Sequence, residues 1–359
     1  MKKLLSKQLC VFSATLMLLS SAAFSQIDNV DFLRSAPADG VKFIEAYITP
    51  WANAFGAGLN GSWYNTAKPH KLGGFDITFG LNVGMVPSSA ETFDVTKAGF
   101  TALTGSGQAP TIAGPKSDGP TLNYVQNVAG TNYTLASFPT PPGTNWKYIP
   151  VPTLQVGIGL PLGTELKGRF IPRLPIADGD IMLWGVGLMH SIMQYIPGNK
   201  LTPFDVSIFG GYTWLNGNIP ISLQPDPAIS NYSTINPILF FADQNLAMTV
   251  QAYNVSALAS VNLKVITFYG GLGYSNTSTT AELTGNFPTP VLNGTTVEYN
   301  DTPQSTTTGA EFPNIEIENF SGLRTNVGVR LKLAVITIHV DYTRSQYNVV
   351  SAGLGISFR

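Results

Sequence analysis

The apolar residues of this chain are dispersed by alternation, and that pattern constrains the fold more than any motif does. From Gly73 to Val86, Phe75, Ile77, Phe79, Leu81, Val83 and Met85 fall on one face, and Asp76, Thr78, Gly80, Asn82 and Gly84 fall on the other. A period of two is that of a strand. The segment exceeds the about 9–11 residues that a tilted strand needs to cross lipid, apolar outward and polar or small inward. Past residue 25 there is no run of about 18 apolar residues, so no transmembrane helix is expected. The chain is 44% apolar and only 11% charged, a balance under which a soluble protein of this size aggregates. Only helices and closed barrels satisfy every backbone group within lipid, so the barrel remains.

The alternation returns along the chain. Leu154, Val156, Ile158 and Leu160 face away from Thr153, Gln155, Gly157 and Gly159. Phe204, Val206, Ile208, Tyr212 and Trp214 face away from Asp205, Ser207, Gly211 and Thr213. Leu323, Thr325, Val327, Val329, Leu331 and Leu333 oppose Arg324, Asn326, Gly328, Arg330 and Lys332, and a turn at Ala334-Val335 leads to Ile336, Ile338, Val340 and Tyr342. Between Ala252 and Val255 the apolar phase changes parity, which predicts a bulge or a strand boundary. Crossings are expected over 73–86, 150–160, 163–172, 179–192, 203–216, 244–264, 266–284, 315–333, 336–346 and 347–359. Ten is even, as antiparallel closure with both ends in the periplasm requires. Further strands at 51–64 and 88–100 would bring the count to twelve or fourteen. The expected fold class is therefore all-β, an antiparallel transmembrane β-barrel of 10–14 strands with a short N-terminal helix or plug.

The breaks come in two sizes. Those near 161–163, 264–266 and 334–335 are short, whereas 87–150, 216–243 and 285–313 are long and rich in Pro, Gly, Thr and Asn. Such asymmetry suits periplasmic turns and extracellular loops. Residues 190–201 do not alternate and read as a short periplasmic helix. At the start, Lys2, Lys3 and Lys7 precede the apolar run Leu9 to Leu19, and Ala23-Phe24-Ser25 places small residues where a signal peptidase reads. This predicts a signal peptide over 1–25, with Gln26 as the mature N-terminus. The one cysteine, Cys10, lies inside that leader, so the mature chain is expected to lack thiols and disulfides. Residues 26–67 are assigned to a helix and hatch or plug, and 68–359 to the barrel. Phe43, Ile44, Tyr47 and Ile48 have helical spacing between Gly40 and Pro50, and Ala54 to Gly61 is small enough to lie inside a barrel. The other reading of this region is a first strand at 51–64.

The final strand carries Ala352, Leu354, Ile356 and Phe358 outward, and it resembles the signal that the barrel-assembly machinery reads. That machinery and outer-membrane lipid are the expected partners, and the cell outer membrane the expected location. Asn60-Gly61-Ser62-Trp63-Tyr64-Asn65-Thr66-Ala67, Gly74-Phe75-Asp76, Val86-Pro87, Arg169-Phe170-Ile171-Pro172 and Gly187-Leu188-Met189-His190 resemble an uncharacterised family of Bacteroidetes outer-membrane proteins. More distantly, an N-terminal hatch followed by barrel strands resembles the outer-membrane long-chain fatty-acid transporters. Where those carry Asn-Pro-Ala, this chain has Asn65-Thr66-Ala67. That likeness implies passage of an apolar molecule.

Chemistry-bearing residues are few. His70, His190 and His339 are the only histidines, and His339 and Asp341 share the polar face of one strand. A barrel hydrolase could use such a His, but inward polar residues are what the fold demands in any case. Glu165, Lys167 and Arg169 alternate inward on one strand, and Arg324, Arg330 and Lys332 on another. They either line a constriction that binds an anion or pair with one another and with Glu316 or Glu318. Glu165, Lys167, Arg169, Arg324, Arg330, His339 and Asp341 are thus the candidate binding residues of the lumen. No motif for a cofactor, a metal or a phosphate is present, and a net charge of −1 offers no basic stripe for nucleic acid. Low charge among inward positions points to binding or passage of an apolar small molecule, without catalysis. The rival is a structural or adhesive surface barrel working through its long loops; a membrane hydrolase is a more distant one.

Overall fold

The computed structural model describes residues 37–128, 131–176, 179–197, 203–221, 243–286, 290–293, 296–299 and 315–358. The expected signal peptide and the first residues of the plug region lie outside the described residues. Helix α1 (Pro37–Leu59) comes first, then β1 (Phe75–Met85). A long connection holds β2 (Thr92–Asp94), β3 (Leu103–Thr104), β4 (Gln108–Pro110), β5 (Thr121–Val128) and β6 (Thr131–Pro139). There follow β7 (Tyr148–Leu160), β8 (Thr164–Ile176), β9 (Gly179–Ser191), β10 (Phe204–Ile221), β11 (Gln244–Asn262) and β12 (Ile266–Thr284). A small hairpin of β13 (Pro290–Asn293) and β14 (Thr296–Tyr299) leads to β15 (Ile315–Leu333), β16 (Ile336–Arg344) and β17 (Val349–Phe358).

Strands β1, β7 to β12 and β15 to β17 close an antiparallel barrel. The seam is made by β1, which sets Phe75 opposite Phe358 of β17 and opposite Ile158 of β7. These ten strands coincide with the ten expected crossings to within a few residues. Of the two further segments considered, 51–59 is helical and 88–100 forms 3₁₀ turns and the short β2, so neither enters the barrel. Outward residues such as Ile77, Phe79, Leu154, Val186, Val327 and Val340 are exposed, while their inward neighbours Asp76, Thr78, Gln155 and Asn326 are buried. A closed hydrogen-bonded wall with an apolar outer belt is a transmembrane β-barrel. No helix of the described residues is long and apolar enough to cross a membrane.

Short turns join β7 to β8, β11 to β12 and β15 to β16 at one end. In the first of these, Leu162 and Gly163 both sit in the left-handed region at φ 59°. The region expected as a periplasmic helix is a single 3₁₀ turn, Met193–Tyr195, with 198–201 outside the described residues. The opposite end carries the long connections. There β11, β12 and β15, each 19 residues, run well past the about 11 that lipid requires.

Helix α1 is 23 residues long, more than twice the expected stretch between Gly40 and Pro50. Pro50 lies inside it and withholds one helical hydrogen bond, which would break an isolated helix. Here the helix is held from all sides. Its lower half is built of small residues, so it lies directly on the barrel wall: a Cβ at Gly56 would strike Thr277, one at Gly58 would come 2.6 Å from Val151 Cγ2, and one on Gly84 of β1 would strike the Ala54 carbonyl. Ala54 to Gly61, expected to lie inside the barrel, does so and is helix for most of its length.

The helix also explains the parity change in β11. The register of β11 with β10 and β12 runs unbroken through Ala252 to Val255, so the expected bulge is absent there. Val250 and Ala252 turn inward because the wall at that level is apolar, packed with Ile149, Val151, Ile171, Leu183, Leu215, Phe320 and Val349 around Ala54, Ala57 and Leu59. The register shifts of this sheet lie instead where β12 meets β15, between Thr277 and Thr279, and where β8 meets β9, between Ile171 and Leu174.

Above the barrel, the connection from β1 to β7 folds into a head. Strand β2 pairs with β4, and β3, β5 and β6 make a second sheet. Val95, Leu103, Ala109, Ile112, Leu122 and Phe138 form a core with Phe43 and Tyr47 of α1. The expected loop is therefore a packed structure standing on the helix.

Candidate functional site: the packed lumen

The lumen is occupied by α1 above and by an irregular segment of bends and turns, residues 60–72, below. Asp39 holds the top. Its carboxylate accepts the backbone N–H groups of Thr101, Ala102 and Leu103 at 2.6–2.9 Å and the Thr101 hydroxyl at 3.0 Å. Burial pushes this carboxyl up, but the N–H groups pull harder and hold it below its ordinary value. About two turns past it, Tyr47 donates its hydroxyl to the Pro142 carbonyl at 2.8 Å, and burial pushes that phenol up to about 12.

Below the helix, this irregular chain meets a polar wall. Arg169 donates to the Leu59 carbonyl at 2.7 Å, the Gly61 carbonyl at 2.6 Å and Gln155 Oε1 at 3.0 Å. Its guanidinium also lies 3.8 Å over the Trp63 ring. Arg324 donates to the Asn60 carbonyl at 2.8 Å and to Thr343 Oγ1 at 3.4 Å. Tyr64 donates to Asn326 Oδ1 at 2.9 Å, and Ser62 to Asn82 Oδ1 at 2.6 Å. Further down, the Ala67 N–H donates to Ser260 Oγ, and Ser207 Oγ donates to the Ala67 carbonyl. Trp63 and Tyr64 pack on Met189, Phe209, Leu258 and Tyr269.

At the short-turn end, His70 donates its backbone N–H to Glu165 Oε2 at 2.8 Å, and His70 Nδ1 lies 3.0 Å from the same oxygen. Glu165 pairs with Lys167 through Oε1. Lys332 donates to Ser357 Oγ at 3.2 Å, beside His70 Nε2 at 3.0 Å.

The candidate residues thus divide into separate groups rather than one binding site. Glu165 and Lys167 pair as expected. Arg169 and Arg324 serve the plug's carbonyls and not a carboxylate, because the last turn of α1 and the irregular chain after it expose acceptors that a helix interior would have consumed. Glu316, one of the expected partners, sits at the other end, where its N–H donates to Glu45 Oε1 of α1 at 3.1 Å; the Glu318 side chain lies outside the described residues. Arg330 is buried on β15. His339 and Asp341 share a face as expected, but Asp341 accepts Tyr269 Oη at 3.0 Å, and neither ring nitrogen of His339 is hydrogen-bonded among the described residues. Sequence reasoning did not bring out His70, Trp63, Tyr64 or Gln155 as partners. His70 lies off any alternating strand, so no register linked it to Glu165.

A family model described as a family of unknown function, DUF6588, matches residues 1–358. No curated protein matches the chain. Among solved structures the chain is similar to the translocator domain of the autotransporter NalP from Neisseria meningitidis, at 11% identity and TM-score 0.31, covering 86% of this chain and 93% of that one. It is similar to Ail, the attachment invasion locus protein of Yersinia pestis, at 8% identity and TM-score 0.24, covering 80% and 98%. It is also similar to the outer membrane protease OmpT from Escherichia coli, at 8% identity and TM-score 0.28, covering 83% and 99%. Likenesses at this level carry no argument about activity.

Proposed function

We propose a surface role for this chain, which belongs to the family of unknown function DUF6588: an outer-membrane β-barrel, filled by its own N-terminal segment, that works through the head on its long-connection side. The observation that carries this reading is the double packing of α1. One part of the helix lies against the barrel wall and another forms the core of the head. A plug built to leave would not be expected to anchor the outer structure as well. In this reading the short turns face the periplasm and the head faces outward, following the loop asymmetry of outer-membrane barrels. No catalytic step is assigned, since Asp341 is engaged by Tyr269 rather than by His339.

Passage of an apolar molecule, the other reading, requires a path that α1 and residues 60–72 now occupy. The test uses two engineered cysteines on exposed positions, Lys116→Cys in the head and Lys264→Cys in a short turn. On intact cells a membrane-impermeant maleimide should label the first and spare the second; the reverse pattern overturns the reading. Purified protein in planar bilayers should show no steady conductance. Binding of fatty acids that strengthens with chain length, by about 0.8 kcal/mol per buried CH₂, would instead favour transport.

A further inference from the structure

The short-turn end of the lumen holds a cluster that the surface reading does not use. His70 Nδ1, an oxygen of Asp76 and an oxygen of Glu165 all lie within 4.8 Å of one another, and all three side chains are buried. His70 Nδ1 is 3.0 Å from Glu165 Oε2 and 3.6 Å from Asp76 Oδ1. Nitrogen and oxygen donors that each stand about 2.0–2.2 Å from a zinc ion are spaced about 3–3.5 Å from one another.

Three observations point to a ligand here. Asp76 is only 5% exposed, yet its Oδ1 makes no hydrogen bond among the described residues; Oδ2 is taken by Thr78 Oγ1 at 3.0 Å. A buried carboxylate oxygen without a hydrogen bond is costly and calls for a partner. Across from it stands Gly157, where a Cβ would strike Asp76 Oδ1 and come 2.8 Å from Glu165 Oε1. A side chain missing at that point leaves the carboxylates room to converge. Finally, His70 Nε2 lies 3.0 Å from Ser357 Oγ, the kind of outer contact that orients a ligating imidazole and presents its other nitrogen.

We propose that His70, Asp76 and Glu165 bind one divalent transition-metal ion through one imidazole nitrogen and two carboxylate oxygens. Such a mixed donor set suits zinc or manganese(II) and not a soft ion such as copper(I). Glu165 keeps Lys167 on Oε1 and offers Oε2. The ion takes the lone pair of Nδ1, so the ring keeps its one proton on Nε2, where it donates to Ser357 Oγ. The three ligands come from the segment after the helix, β1 and β8, so the ion ties the lower end of the plug to the wall.

The experiment titrates zinc into the folded full-length protein in detergent after chelator treatment. One equivalent should bind per chain. Asp76→Asn and His70→Gln should each weaken binding at least about tenfold, and Ser357→Ala about 10–100-fold. His190→Gln, at the same end and hydrogen-bonded to Thr164, should leave binding unchanged. Each variant is scored only if it keeps the gel shift of a folded barrel. If the substitutions prevent folding, zinc-edge X-ray absorption on the unaltered protein decides, and should show one imidazole and carboxylate oxygens. A shell of water alone, no saturable site at one equivalent, or binding lost in His190→Gln but kept in Asp76→Asn would overturn the proposal.

Discussion

At the level of Leu215, Val250 and Val349 the inner wall of the barrel is apolar and faces a helix. At the level of Asp76, Arg169 and Arg330 it is polar and faces irregular chain. The same strands build both levels, so the difference lies in what each half encloses. A helix satisfies its own backbone and presents only side chains, so an apolar wall suffices. Irregular chain carries unpaired carbonyls and N–H groups that cannot reach lipid or bulk water, and the wall must supply their partners. Arg169, Arg324, Ser207 and Ser260 do so. These four polar residues of the lumen are thus accounted for by the backbone of the plug.

The strongest way to break this comparison is Arg169→Met, which keeps bulk and removes three donors. Three acceptors lose their partner, and at about 1–3 kcal/mol for each orphaned group a loss of about 4 kcal/mol is expected in denaturant unfolding from detergent. A loss below about 1 kcal/mol would mean that Arg169 does not hold the segment. Leu215→Ala tests the apolar half; a cavity against α1 should cost about 3 kcal/mol. Ile77→Arg, on the outer face, should cost about 2–4 kcal/mol near the bilayer midplane and should leave the lumen contacts intact. If the two halves are independent, Arg169→Met and Leu215→Ala combined should add to within about 0.5 kcal/mol. A larger discrepancy would show that the helix and the segment after it come loose together.

The smallest effect concerns acid. Asp39 titrates below its ordinary value, so the folded state binds its proton less readily than the unfolded chain does. Its stabilisation is complete above the unfolded carboxylate value of about 4, and it is lost as pH falls through the lower folded value. Thermal unfolding of the unaltered protein should therefore drop below about pH 4 by more than that of Asp39→Asn. Equal acid sensitivity would remove Asp39 as the clamp between helix and head.

Ten strands could be read from the chain because lipid outside and small or polar residues inside impose one period on each. The pattern misled at Ala252, where the inner wall turned apolar, since alternation reports a contrast between faces and not which face is inside. Pro50 misled in the same way: it marks the end of a free helix, but a helix enclosed by strands and head continues through it. The alternating charges were correctly placed in the lumen, but their partners were not legible. Arg169 meets carbonyls 108 and 110 residues away, and a backbone carbonyl has no signature in sequence. His70 and Glu165 are separated by 95 residues and meet only because the segment after the helix descends to the short-turn end.

That descent has a topological consequence. Helix α1 starts beside the head, whereas β1 starts among the short turns, so the chain runs through the barrel from one rim to the other before it joins the wall. It is a thread through a ring, and the ring is sealed by β1 against both β17 and β7. A lid hinged on one rim can swing aside; a thread can leave only lengthwise, or through an opened seam. Assembly must therefore settle the order of events, with the seam closing around a strand of chain already inside or the chain being drawn in afterwards. Tension applied from the head side would run down the axis and arrive at the seam strand itself, so disturbing the outside would be felt where the wall is joined.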